Sequence, residues 1–150
     1  MSGTDATTSG TRHRTRHRAR EAAVQILYQC EVGQSDIEDV LGTFWSANLP
    51  GSEGAPESVR TFAEQLVRLT MANIEKIDPI IVETAEHWRL SRMAALDRII
   101  LRLAISEFLD ASTPRNVIIN EALELAKTFS GEESVKFVNG ILDAVKKKLP

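Results

Sequence analysis

Between Leu96 and Leu109 the apolar side chains recur at steps of three and four. Leu96, Ile99, Ile100, Leu103, Ala104 and Phe108 share one face of an α-helix. Leu101, Ile105 and Leu109 fall outside that face and widen the stripe. A stripe this broad predicts a central helix packed on several sides, within an apolar segment running from Trp88 to Leu109. No segment of the chain alternates apolar and polar residues between strand-type turns, so no sheet is assigned. The fold this predicts is all-α: a compact bundle of six or seven helices with short connections.

The other helices follow from the same spacing. One runs from about Arg18 to Val32, with Ala23, Ile26, Leu27 and Cys30 on one face and Gly33 as its stop. A second fits residues 36–46, with Ser35 or Asp36 as cap and Ile37, Val40, Leu41 and Phe44 inward. Asn48 to Gly54 reads as a loop from its turn residues. Pro56 suits the first turn of a third helix to about residue 72. A fourth covers about 74–86, with a kink or later start expected at Pro79. The break at Ser112-Thr113-Pro114 leads to a helix over about 117–129. The last helix follows Ser130-Gly131 and runs from Glu132 to about Leu149.

Composition removes several chemistries. A single cysteine, Cys30, excludes an internal disulfide framework and a four-cysteine zinc site. On an apolar helix face it reads as inert core. The eight glycines form no phosphate-binding loop, and there is no HExxH or CxxC motif. His13 and His17 stand four apart, but in an arginine-rich setting that repels cations. His87 beside Trp88 reads as a structural histidine. Glu121 and Glu124 read as ordinary helix surface. Glu132 and Glu133 suit the start of the last helix, and Lys146 to Lys148 suit its end. No catalytic residue, metal site or cofactor is expected. No apolar stretch approaches the roughly 20 residues of a membrane span. The N-terminus also lacks a secretory core, which predicts a cytoplasmic location.

The net charge of −3 conceals a split. Residues 1–20 hold five arginines against Asp5, a charge of +4; the remaining 130 residues hold 13 basic and 20 acidic groups, a charge of −7. Residues 1–15 therefore read as a disordered basic arm ahead of a helical domain over 16–150. Extended, the stretch from Arg12 to Arg18 would set its arginines on one side; helical, it would spread them around the cylinder. Arginine matches phosphate with a planar fork and stacks on bases, and short arginine-rich segments recur in RNA recognition. Arg12, Arg14, Arg16, Arg18 and Arg20 are accordingly the candidate RNA contacts. Five phosphate contacts would give a salt slope of roughly −3.5 in log affinity for single strands. Tyr28 lies off the main face of the first helix, on the side of Val24, where its ring could meet a base. Phe137, four before Ile141, reads as core on spacing alone.

Three segments carry a family resemblance: RHRAREAAVQILYQ at residues 16–29, LDRIILRLAISEF at 96–108 and INEALELAKTFSGEESVKFVNGILD at 119–143. Together they resemble the NusB family of bacterial transcription antitermination factors, over nearly all of residues 16–145. In the last segment Asn120, Glu121, Lys127, Lys136 and Asn139 are polar residues that helix packing does not demand. The resemblance implies two packed helical subdomains and binding of the boxA segment of nascent ribosomal-operon RNA. It implies NusE, a ribosomal small-subunit protein, as partner, and a complex assembled on RNA polymerase. NusB-like domains also occur fused to RNA methyltransferases; 150 residues leave no room for that catalytic domain, which predicts a free-standing factor. The family's basic motif falls on Arg16, Arg18 and Arg20, with His17 interrupting it. Tyr28 matches its helix-one aromatic. Lys136 and Phe137 match a KFVNG motif that in the family lies near bound RNA. The competing reading is a homo-oligomeric protein-interaction module with no direct RNA contact, a homodimer covering the RNA surface.

Overall fold

The computed structural model describes residues 2–46, 54–86 and 90–150, with side chains from Gly10 onward. The described residues form seven α-helices and one short 3-10 turn, and no strand. The chain divides into two units, Met1–Val67 and Arg68–Pro150.

The first unit holds α1 (Ser2–Val32), α2 (Ile37–Phe44) and most of α3 (Glu57–Ala72). Ala19, Ala22, Ala23, Ile26 and Leu27 of α1 are buried, and α2 packs on this helix through Val40, Leu41 and Phe44. The helix starts at Ser2, where the sequence predicts an open arm to residue 15. Once the buried half of α1 exists, nucleation is complete and each preceding residue adds one backbone bond. The serines and threonines of the arm oppose this by only about 0.5 kcal/mol each. At the other end the Ser35 N–H bonds the Cys30 carbonyl at 3.1 Å, and Gln34 takes a left-handed φ of 50°. Gln34, not Gly33, therefore holds the left-handed position of the cap. Gly33 is needed for another reason: a Cβ there would stand 2.7 Å from the Gln29 carbonyl. Asp36 precedes α2 in extended conformation, as expected of a cap, but its side chain makes no capping bond. Pro56 precedes α3, and its carbonyl accepts the Val59 and Arg60 N–H groups at 3.0 and 3.1 Å. The loop predicted at Asn48–Gly54 lies, up to residue 53, outside the described residues, as do His87 and Trp88.

The second unit holds α4 (Ile74–Thr84), the 3-10 turn Leu90–Arg92, α5 (Ala95–Asp110), α6 (Arg115–Phe129) and α7 (Glu132–Lys148). The expected central helix is α5: ten of its residues are buried, and α4, α6 and α7 all pack on it. Leu109 is the exception to the wide stripe, since it points outward and is exposed. Pro79 sits inside α4. It is exposed, and so is Glu75, whose carbonyl loses its helical donor there, so water can serve that oxygen. Gly131 precedes α7 with φ 147° and ψ −173°, a region open essentially to glycine alone. The chain breaks there as the sequence predicts. Acidic residues open α7 and three lysines close it, matching the helix dipole. Glu121, expected on the surface, is buried. Its spacing explains this, because Ile118, Ala122 and Leu125 share its face.

Polar ties join the helices of this unit. Arg102 on α5 donates two bonds to Asp78 on α4, Nε to Oδ1 at 2.8 Å and Nη2 to Oδ2 at 2.9 Å. Arg115, at the start of α6, donates to the carbonyls of Lys146, Leu149 and Pro150 and so caps the end of α7. Arg98 donates to the carbonyls of Leu90 and Met93, which holds the 3-10 turn against α5.

Candidate nucleic-acid interface

Helical geometry sorts the five arginines of α1 into two rows. Arg12, Arg16 and Arg20 follow one another at four-residue steps, and Arg14 and Arg18 form a second row on another side. Exposure falls along the helix. Arg12 and Arg14 are exposed, Arg16 and Arg18 half-buried, and Arg20 only 2 % exposed. The first row runs directly into the buried face, since Ala23 and Leu27 follow Arg20 at three and seven residues.

The burial of Arg20 has a partner on α3. The guanidinium carbons of Arg16 and Arg20 lie 4.6 and 5.5 Å from the centroid of the Phe62 ring. The negative face of an aromatic ring attracts a cation at this range. A guanidinium 2 % exposed does not meet a phosphate in this conformation, so Arg20 packs where the sequence predicts a contact. The signal was available in its spacing to Ala23 and Leu27. Phe62 itself carried no sequence signal beyond an apolar helix face.

The remaining groups on α1 are simple. His17 stands 3.8 Å from Glu21, one turn on. Arg14 Nη2 donates to Thr11 Oγ1 at 3.5 Å. Tyr28 is 40 % exposed, with Val24 one turn before it fully buried. The ring is thus presented as the sequence predicts, fixed by a helix whose other side is core. Cys30 is buried, and burial pushes its thiol up, with the Asp36 charge adding to the effect. A thiol held protonated is a poor nucleophile, in keeping with the inert reading. Among the described residues no three histidine, cysteine or acidic side chains come together to hold a metal ion.

Lys136 and Phe137 lie on α7 in the second unit. Lys136 is exposed; Phe137 is half-buried. Its ring lines a cleft of about 340 Å³ together with Arg92, Met93, Ala94, Asp97, Glu133 and Ser134. Met93, Ala94 and Phe137 supply its apolar lining, and Arg92, Asp97 and Glu133 its charged groups. Phe137 is therefore not a pure core residue, as spacing alone suggested. Asp97 is buried, and its Oδ1 is closed off without a hydrogen-bond partner. Asp97 carries no sequence signal, and Glu133 reads from the sequence only as part of the acidic start of α7.

Comparison with known proteins places these features in a family. The sequence model of the NusB family matches residues 17–147. The transcription antitermination protein NusB of Koribacter versatilis is 45 % identical over 130 residues, which is 86 % of each chain. The solved structure of T. maritima NusB is 36 % identical, with a TM-score of 0.77 over 89 % of this chain and 91 % of that one. A crystal structure of antitermination factors NusB and NusE in complex with double-stranded RNA contains a chain 26 % identical to this one. Its TM-score is 0.77, over 91 % of this chain and 98 % of that one. By sequence and by fold, the chain belongs to the NusB family.

Proposed function

We propose that this chain is an RNA-binding transcription antitermination factor that takes up boxA RNA together with NusE and helps assemble an antitermination complex on RNA polymerase. The observation that carries the reading is the basic half of α1. Arg12, Arg14, Arg16 and Arg18 are held on one helix whose other half is buried. A rigid base aims the guanidinium groups and reduces the entropy lost when RNA binds. The relatives named NusB, and the related chain found with NusE and RNA, support the same reading. The function is binding, without catalysis, and its place is the cytoplasm, where nascent RNA is made. No described helix is long and apolar enough to cross a membrane.

The proposed contacts divide by chemistry. Arg12, Arg14, Arg16 and Arg18 meet phosphate, with Lys136 as a further cation. Tyr28 and Phe137 offer ring faces to bases. Arg20 supports the helix from inside. The four arginine contacts contribute about −2.8 to the salt slope in log affinity for single-stranded RNA, and Lys136 brings the expected slope to about −3.5. A salt titration with boxA RNA, with and without NusE, tests this directly. The expected result is that slope together with tighter binding when NusE is present. A flat salt response would remove the arginine contacts, and a homodimer indifferent to RNA in light scattering would favour the protein-interaction reading.

A further inference from the structure

The motif that the sequence places in RNA binding stops at α1, but the structure carries it onto α3. Phe62 receives two guanidinium groups from successive turns of α1, at 4.6 and 5.5 Å. We infer that Phe62 is a positioning residue for RNA binding: its ring holds Arg16 and so sets the direction in which the arginine row faces RNA. The inference rests on the RNA-binding reading above and adds to it a residue outside the basic motif.

The physical argument has three parts. A free arginine side chain carries about 2 kcal/mol of rotamer entropy, and a phosphate contact must give up much of it. A ring that holds the guanidinium over its face by cation–π attraction removes that freedom in advance and takes up none of its N–H donors, which remain for an oxygen. Arg16 is half-buried, so its group is held but remains reachable. Arg20, 2 % exposed and 5.5 Å from the same ring, is the inner anchor of the row. Arg12 lies one turn beyond Arg16 in the same row. Fixing Arg16 and Arg20 from outside the helix therefore also fixes the register of Arg12. A branched aliphatic side chain at position 62 keeps an apolar contact but offers no negative face to a cation.

The test uses the full chain and a boxA RNA in the presence of NusE. Phe62→Leu is expected to weaken RNA binding about 5-fold, within the range of one cation–π contact. Phe62→Tyr keeps the ring and is expected to restore the affinity. In the Arg16→Ala background, Phe62→Leu is expected to add less than about 2-fold, because the group it positions is gone. A purely structural role would instead lower the melting temperature and weaken binding equally in both backgrounds. In the free protein, the Arg16 side-chain protons are expected to show an upfield ring-current shift in NMR that Phe62→Leu abolishes. Unchanged affinity in Phe62→Leu, equal losses with and without Arg16, or no ring-current shift would each overturn the inference. If the unaltered chain fails to bind the RNA at all, the RNA-binding reading falls first and takes the inference with it. Normal binding by the unaltered chain with no effect of Phe62→Leu sinks the inference alone.

Discussion

The two units differ in what receives their arginines: aromatic rings appear as partners in the first, oxygen atoms in the second. In the first, Arg16 and Arg20 lie over Phe62, and Arg60, 5.7 Å from the Trp45 ring, also donates its Nε to the Ala55 carbonyl at 3.1 Å. In the second, Arg98, Arg102 and Arg115 donate to carbonyl and carboxylate oxygens of neighbouring elements. A ring holds a guanidinium over its face by cation–π attraction and takes up none of the N–H donors on its edge, which is the part that recognises phosphate. A carboxylate or a row of carbonyls occupies that edge. Arg16, half-buried over its ring, stays reachable by an external anion, whereas Arg20, 2 % exposed, and Arg60, bonded to Ala55, serve the fold, as the arginines of the second unit do. Sequence composition counts both kinds alike; only their partners separate them.

The contrast can be broken most sharply by exchanging the readouts. Arg102→Ala should leave RNA binding unchanged but remove the paired bonds to Asp78 and strand a carboxylate that is partly buried, at 26 % exposure. The expected cost is about 1–3 kcal/mol, seen as a fall of several degrees in the melting temperature. Arg16→Ala should do the reverse, weakening RNA binding with a loss of about 0.7 in salt slope and little change in melting. If both substitutions acted on stability alone, the distinction between the two units would fail.

A second pair of substitutions sharpens the comparison at the helix ends. Gly131→Ala, in the second unit, places a Cβ on a backbone at φ 147°. It should cost about 1–3 kcal/mol in chemical denaturation. In the first unit the left-handed cap position is Gln34, with φ 50°. Gln34→Gly relieves a strain of roughly 1–2 kcal/mol but gives the unfolded chain more freedom, so the net gain should be about 0.5–1 kcal/mol. A loss of stability in Gln34→Gly would show that its side chain contributes more than the backbone geometry requires.

Much of the fold was legible in periodicity. The α5 stripe, the break at Gly131 and the charges at both ends of α7 all follow from side-chain spacing and local backbone preference. The start of α1 was not legible, because a polar basic stretch has no apolar face and its helix depends on the buried half that follows. Arg20 and Glu121 show a different limit. Both occupy apolar faces by spacing, but a charged residue is ordinarily expected outside, and only the neighbouring elements reveal what receives it. In the candidate site, the exposed Tyr28 and the arginine row were readable; the division of that row into anchor and contact was not.

Side-chain order alone is enough to establish that this chain is helical, where most helices begin and end, that its positive charge collects at one end, and which family it resembles. Those properties are local: they depend on residues three or four apart and on the composition of short segments. Packing between helices is what gives Arg16 and Arg20 to Phe62, gives Arg102 to Asp78, and opens Phe137 onto a cleft. Each is a meeting of side chains from different helices, set by how the elements pack, and no local pattern specifies it.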